Sequence, residues 1–328
     1  KGACTRHPMG SLRRGLLMVL PFILWGTAMT AMAPLVSTGG PILVSCLRLL
    51  PAGIVVIALA PLLGRSLLID PSDRGWFLLF TLIDALLFQI CLARGLEGTG
   101  AGLGSVLIDS QPLMVALLAR WLFAESINPF GWIGLVLGLV GIVCLGVPQP
   151  LLQHWWLLGE GVSFQSGWQA GTGWMLAAAV AMAVGTVLSR YACRNSDPVA
   201  VTGWHMLLGG LPLLVWHGFD STFPFIPPWS AFAWAQMAYA SLMGSALAYA
   251  LFFWFASRED LTGFTTLGFL TPVFALASGG LLLQERLESL QWLAVLLVLL
   301  SVVLVSQRKR FWEPIPLVNE PQQNDVGA

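Results

Sequence analysis

Four ionisable side chains lie within long runs of apolar residues: Arg48, Asp84, Asp109 and His205. A charge at the centre of a membrane-spanning helix costs about 2.5–3.5 kcal/mol on insertion scales, so such residues usually face a cavity or a partner. Asp84 and Asp109 are predicted to lie at similar depth, with Arg48 nearer one surface. Two interpretations stay open: the three form a buried ion-paired set that only orders helices, or Arg48 neutralises one acid while the other binds a substrate amine or a proton.

Further polar or aromatic side chains extend this candidate substrate-binding set: Gln89, Gln111, Tyr249, Thr271 and Trp25. Most of the 15 tryptophans lie near the ends of apolar runs, as an interfacial belt requires. Trp25 is better placed to line a pathway, with simple packing as the alternative. An apolar, aromatic lining with a few polar anchors favours an aromatic or hydrophobic amino acid as the solute.

The chain contains an internal repeat. Residues 105–146 and 265–306 align without a gap at an offset of 160 positions, so that Pro112 falls on Pro272 and Glu125 on Glu285. A duplicated membrane unit is the usual plan of a secondary transporter, whose substrate site lies between the halves.

The repeated residues are predicted to serve the scaffold. Pro112 and Pro272 fall in the middle of predicted helices, where a proline removes a backbone hydrogen bond and kinks the helix. Glu125 and Glu285 are predicted to be helix caps or ion-pair partners of a gate, one at each membrane face.

The two acids are not repeated. At the same offset Asp84 corresponds to Gly244, and Asp109 corresponds to Phe269. Because the scaffold does not require an acid at either position, this asymmetry favours a ligand-related role for both.

Ten apolar segments are long enough to span a bilayer, which needs about 20 residues. The predicted segments are 14–33, 41–63, 75–94, 99–121, 129–147, 172–192, 198–217, 231–256, 261–283 and 289–306. With the amino terminus in the cytoplasm, nearly all loop Lys and Arg residues fall on the cytoplasmic side, and only Arg94 and Arg286 fall outside. Five segments per half is an odd number, so the second half must be inverted with respect to the first.

Composition supports this class of protein. Of 328 residues, 57% are hydrophobic and 10% are charged, whereas soluble domains carry about 25% charged residues. Lys plus Arg and Asp plus Glu number 16 each, so no basic excess predicts a nucleic-acid partner.

No metal or cofactor is expected. The histidines are scattered, the cysteines form no CxxC pair, and no GxxxxGK[ST] motif provides for ATP-driven transport. An intramembrane enzyme is an alternative, for which Ser105 and His205 are the nearest catalytic candidates, but no nucleophile motif surrounds the serine. A passive scaffold would not explain buried acids in a duplicated, inverted bundle.

The chain resembles the EamA family of the drug/metabolite transporter superfamily. The resemblance is carried by residues 111–125, residues 271–286 and the pair Trp25-Gly26. The first copy departs from the pattern at Ser126, where the second has Arg286. The resemblance implies ten helices in two inverted repeats of five, both termini in the cytoplasm, and export of amino acids, other small metabolites or drugs.

These observations predict an all-α integral membrane protein of four regions. The four regions are a first five-helix repeat (14–147), an extracytoplasmic linker (148–171), a second five-helix repeat (172–306) and a disordered cytoplasmic tail (307–328). The predicted function is secondary export of small solutes across the cell membrane, with protons as a candidate coupling ion. The expected partners are the solute and the lipid bilayer, and both a monomer and a homodimer are compatible with the sequence.

Overall fold

A computed structural model of the chain describes residues 11–92, 94–95, 107–146, 171–219, 222–283 and 289–307. These residues form helices joined by turns, with no strand among them. In chain order the helices are α1 (Ser11–Gly39), α2 (Pro41–Leu62), α3 (Arg74–Leu92), α4 (Gln111–Phe123), α5 (Pro129–Gly146), α6 (Thr172–Ala192), α7 (Pro198–Phe219), α8 (Ala231–Ala256), α9 (Leu261–Thr265 with Leu270–Leu283) and α10 (Ser289–Ser306).

Six of these helices, α1, α2, α3, α6, α7 and α8, are long and apolar enough to cross a membrane. The other four carry shorter apolar stretches. Large apolar side chains also cover the outside of the bundle, where Trp121 and Leu62 are each 80% exposed. Such a surface suits lipid rather than water, and the chain is a multi-pass, all-helical membrane protein.

Two helices contain a π-helical turn at matching positions of the internal repeat. In α3 this turn spans Thr81–Leu87, and in α8 it spans Leu242–Leu247. A π turn widens the helix by one residue and re-aims the side chains that follow, and such turns occur frequently at functional sites. Asp84 lies inside the first turn, and Gly244 and Ser245 lie inside the second.

The sequence predicted that the prolines of the repeat kink continuous α-helices, but in the structure each lies in the first turn of an α-helical stretch that follows irregular backbone. Pro112 lies in the first turn of α4, directly after the turn at Asp109 and Ser110. Pro272 lies in the first turn of the long part of α9, after the 3₁₀ turn Thr266–Phe269. A proline fits the first turn because its missing N–H has no intrahelical acceptor there. Each proline therefore restarts a helix after a break rather than kinking one.

Helix packing follows a regular scheme. Helix α2 packs on α7, and α5 packs on α10. Helix α1 packs on α9 and on α8, while α6 packs on α4 and on α3. Helix α2 also contacts the π turn of α8, and α7 contacts the π turn of α3. The interior where these helices meet contains the candidate site.

Some sequence predictions lie partly outside the described residues. Helix α1 is longer than predicted and reaches Gly39. The predicted segment 99–121 is described only from residue 107. Nearly all of the predicted linker 148–171, and the tail beyond residue 307, lie outside the described part of the chain.

Candidate functional site

The centre of the candidate site is a buried contact between an acid and an imidazole. His205 Nε2 lies 2.9 Å from Asp84 Oδ2, which joins α7 to the π turn of α3. The side chains of His205 and Asp84 are only 1% and 3% exposed. The contact is an ion pair when the imidazole is protonated and a hydrogen bond otherwise. His205 Nδ1 has no hydrogen-bond partner among the described residues.

Local packing holds this pair in place. The Phe80 ring stacks on the His205 imidazole with ring centroids 4.3 Å apart. Gly185 of α6 lies directly against the Asp84 carboxylate, and a methyl group at that position would overlap it. Gly209 of α7 contacts Ala85 in the same way. These glycines allow α6 and α7 to approach the π turn closely enough for the contact to form.

Arg48 makes the corresponding contact in the other half. It is 9% exposed, and its Nε donates to Ser245 Oγ, 3.4 Å away in the π turn of α8. Ser241 Oγ in turn donates to the Arg48 carbonyl oxygen over 3.1 Å. In the second helix of each half the repeat aligns at an offset of 157 rather than 160 positions, so that residues 44–48 lie over 201–205 and Arg48 falls on His205. These two residues each reach the π turn of the opposite half.

This arrangement corrects the predicted grouping of Arg48 with Asp84 and Asp109. Among the described residues, Asp84 pairs with His205, and Arg48 forms no ion pair within 4.0 Å. The reason is the helix packing: α2 lies against the π turn of α8, so its arginine reaches Ser245, whereas α7 lies against the π turn of α3.

An aromatic wall adjoins the polar centre. The Trp25 ring lies 5.1 Å from Tyr249 and 4.9 Å from Phe252, measured between ring centroids. The Tyr249 ring lies 6.5 Å from the His205 ring, and its hydroxyl has both Arg48 and Asp84 as electrostatic neighbours. Trp25 Nε1 is buried and has no hydrogen-bond partner among the described residues.

Gln111 is connected to the cluster through α6. Its Nε2 donates to Thr186 Oγ1 over 3.1 Å, which ties the first residue of α4 to α6. Thr186 directly follows Gly185, so this bond lies next to the Asp84 contact. The hydroxyl of Thr186 itself donates to the Met182 carbonyl oxygen.

Three further candidates are less closely connected to this cluster. Asp109 is half-buried in the turn before α4 and makes no hydrogen bond or ion pair with another described residue. Gln89 is 1% exposed, and its Oε1 finds no partner in the described part of the chain. The backbone carbonyl of Thr271 packs against Gly26, where α1 and α9 cross closely.

Glu125 anchors one end of the bundle. Its carboxylate accepts hydrogen bonds from the Leu261 and Thr262 backbone N–H groups, over 3.0 and 3.2 Å, and from Thr262 Oγ1 over 2.8 Å. It thereby caps the start of α9 from the end of α4. Arg190 Nη1 lies 3.6 Å from the same carboxylate. The equivalent Glu285 lies outside the described residues.

Arg190 extends this network to the end of α8. Its guanidinium donates to the carbonyl oxygens of Ala256 and Glu259. The Glu259 carboxylate in turn pairs with Arg14 at the start of α1. Five helices, α1, α4, α6, α8 and α9, are therefore tied together at this end of the bundle.

A cavity of about 420 Å³ opens at the same end, where α4, α6 and α8 finish. We call it the basic vestibule. It is lined by Phe123, Arg190, Tyr191, Cys193, Arg194, Ser257 and Arg258. Burial raises the pKa of the Cys193 thiol to about 12.

Sequence reasoning did not identify Ser245, Gly185 or Arg190 as parts of the site. The repeat offset of 160 positions was a usable signal for Ser245, since this residue directly follows Gly244, the counterpart of Asp84. No signal in the sequence marked Arg190, because an arginine in the last turn of a helix satisfies the charge rule anywhere near that surface. Within the described ranges no group of three His, Cys, Asp or Glu side chains is arranged to hold a metal ion.

Comparison with known proteins finds relatives that are named as transporters or belong to one transporter family. The model of the EamA-like transporter family matches residues 13–147 and 169–307. The chain is 45% identical to the uncharacterized transporter sll0355 of Synechocystis sp., over 96% of this chain and 97% of the relative. It is 41% identical to the WAT1-related protein At3g02690, chloroplastic, of Arabidopsis thaliana, over 90% of this chain and 70% of the relative.

More distant proteins share the overall architecture. The uncharacterized inner membrane transporter YedA of Escherichia coli is 26% identical over 90% of this chain and 92% of its own length. A crystal structure at 20% identity superimposes with a TM-score of 0.77, covering 93% of this chain and all of the other. That structure supports the fold alone. The family match and the close relatives together show that this chain belongs to the EamA-like transporter family of the drug/metabolite transporter superfamily.

Proposed function

We propose that this chain exports small organic solutes, amino acids among them, by alternating access of two inverted five-helix halves. Membership of the family already makes it a membrane transporter of small solutes. The proposal adds the direction of transport, its mechanism and the residues that take part in it.

The observation that carries the proposal is the exchange symmetry of the helix contacts. Exchanging α1–α5 with α6–α10 turns the contact of α1 with α9 into that of α6 with α4, and the contact of α1 with α8 into that of α6 with α3. The pairs α2 with α7 and α5 with α10 map onto themselves. Such exchange symmetry is what an inverted repeat produces, and it supports two related conformations in which either half can open.

The irregular turns support a substrate site at the centre. The π turns of α3 and α8 carry Asp84 and Ser245 of the polar cluster, and the break before Pro112 directly precedes Gln111, while a similar irregular turn precedes Pro272. Non-α backbone at membrane depth is tolerated where it is buried in protein or lines a cavity. In transporters such discontinuous helices typically form the binding site.

Asp84 and His205 are proposed to couple transport to protons. The two groups can hold one or two protons between them, and their contact joins the two halves. Protonation of Asp84 removes the charge that attracts His205 and so weakens the link between α3 and α7. Tyr249 of α8 is an electrostatic neighbour of Asp84 and also of Arg48 on α2.

Export and residence in a cell membrane with both termini in the cytoplasm are proposed from the family resemblance and from the charge distribution. Arg65, Arg120, Arg190, Arg194 and Arg258 all lie at one end of the described bundle. That end is expected to face the cytoplasm.

Counterflow in proteoliposomes tests this function. Vesicles are loaded with one unlabelled amino acid from a panel and diluted into a trace of the same labelled compound. We expect transient accumulation of label for at least one member, absent from protein-free vesicles. Folded, reconstituted protein that shows no counterflow with any member would contradict the proposal.

A further inference from the structure

We propose that the transported solute carries an anionic group, a carboxylate or a phosphate, which binds Arg48 beside the aromatic wall of Trp25 and Tyr249. This inference rests on the proposed transport function, since it names the solute class of the same site. It also changes which residue binds the charged group of the solute. The sequence had suggested that an acid binds a substrate amine, whereas here Arg48 binds an anion.

The first observation is the unbalanced charge of Arg48. The guanidinium is buried, yet the contacts that the described residues give it are neutral: Ser245 Oγ at 3.4 Å and the neighbouring Tyr249 hydroxyl. Buried arginines in proteins normally pair with a carboxylate, because an isolated buried charge is costly. A guanidinium in neutral surroundings is matched to the planar, bidentate geometry of a carboxylate or phosphate ligand.

The second observation is that the nearby acid already has a partner. Asp84 Oδ2 lies 2.9 Å from His205 Nε2, and Tyr249 is an electrostatic neighbour of both Asp84 and Arg48. Gly185 closes off the face of the carboxylate that points toward α6. Asp84 is therefore poorly placed to bind a substrate amine while this contact persists.

The third observation is the charge of the basic vestibule. Three of its lining residues are arginines and none is acidic. Among the described residues, Arg194 and Arg258 form no ion pair within 4.0 Å, whereas Arg190 pairs with Glu125. A cavity lined by one sign of charge concentrates ligands of the opposite sign. The vestibule lies at the ends of the helices that carry Thr186 and Tyr249, so it can attract anions toward the same site.

The aromatic wall identifies the rest of the ligand. The centroid of the Trp25 ring lies 5.1 Å from that of Tyr249 and 4.9 Å from that of Phe252. The unpartnered Trp25 Nε1 adds one donor. An apolar or aromatic body next to an anionic group therefore fits the described surroundings.

Ligand binding to the purified protein in phosphatidylcholine nanodiscs tests the inference, since the zwitterionic headgroups of these lipids carry no net charge. The probes are matched pairs: phenylacetate with phenylacetamide, L-phenylalanine with L-phenylalaninamide, and phenyl phosphate with phenol. Binding is measured by tryptophan fluorescence and by the shift in thermal unfolding. We expect the acid to bind about tenfold or more tightly than its neutral or amide partner in at least one pair.

Arg48→Gln is expected to abolish this preference, and Arg74→Gln, at an exposed arginine of α3, is expected to keep it. Arg48→Lys keeps the charge, so it should retain a weaker preference and serves if Arg48→Gln does not fold. Arg194→Gln should slow association at low ionic strength without removing the preference. Equal binding or no binding of acid and partner in every pair, or an unchanged preference in Arg48→Gln, would overturn the inference.

The binding result and the transport result are separable. Acid-selective binding without counterflow would refute the transport proposal and leave the ligand class standing. Counterflow of an amine or a neutral solute, without acid-selective binding, would refute the ligand class alone.

Discussion

His205 and Asp84 meet across the two halves of the bundle, with imidazole Nε2 2.9 Å from the carboxylate Oδ2. Arg48, the repeat counterpart of His205, makes the matching contact to Ser245. The two contacts are geometrically related but chemically different: one holds an acid and an exchangeable proton, and the other presents a cation. We infer a division of labour in which the first couples protons and the second binds the solute.

Asp84→Asn should abolish the response of transport to a pH gradient while leaving counterflow measurable. The amide can still hydrogen-bond His205, so the fold should persist, but it no longer takes up a proton. Flux is compared in proteoliposomes with and without an imposed gradient. Asp70→Asn, at a half-buried position just before the turn at residues 71–73 and outside the polar cluster, is the matched control and should behave as the wild type.

Gly185→Ala should displace the Asp84 side chain, because the added methyl overlaps its carboxylate. We expect a loss of stability of about 1–3 kcal/mol, as is usual for overpacking, together with reduced transport. Thermal unfolding in detergent measures the first effect. Gly218→Ala, where a methyl group meets nothing within 4 Å, is the control. Equal melting temperatures for both variants would show that the close approach of α6 to Asp84 is unimportant.

Glu125→Ala should loosen the end of the bundle, because three hydrogen bonds to the start of α9 and the contact to Arg190 are lost together. The readout is alkylation of Cys193, mapped by mass spectrometry. With its pKa raised to about 12, the thiol stays protonated at pH 7, so labelling of the wild type should be slow and rise about tenfold per pH unit. Glu125→Ala should accelerate labelling at neutral pH; Asp70→Asn should not. An unchanged rate would argue against a gate at this end.

Trp25→Phe should weaken ligand binding with little effect on stability. The indole N–H is buried without a partner in the described residues, so removing it breaks no protein hydrogen bond, while the ring contacts to Tyr249 and Phe252 are largely retained. Binding of the matched acid probes and thermal unfolding are measured on the same sample. A marked fall in melting temperature without a change in affinity would assign Trp25 to packing.

The sequence predicted the helical class, the family and most helix positions, because apolar runs and charged loops are local signals. It also identified Asp84, His205 and Arg48 as unusual, because each is an ionisable residue in an apolar run. Their pairing was not predictable in the same way. It depends on the π turn at Thr81–Leu87, which re-aims Asp84, and on Gly185, which lets α6 approach.

The prolines show a related limit of sequence reasoning. Pro112 and Pro272 indicate an irregularity in each helix, but a proline at a restart and a proline at a kink look alike in sequence. Tertiary packing decides between them. Glu125 is a similar case, since its three donors come from residues more than 130 positions away.

The most direct test of the account is proton-driven flux through wild-type protein and Asp84→Asn, reconstituted side by side. Vesicles receive a labelled solute from the counterflow panel and an imposed pH gradient of either sign. The account predicts that the gradient drives accumulation by the wild type and that its sign sets the direction, whereas Asp84→Asn only equilibrates the solute. Wild-type flux that ignores the gradient, or Asp84→Asn that still follows it, would contradict the assignment of the Asp84–His205 contact as the coupling centre.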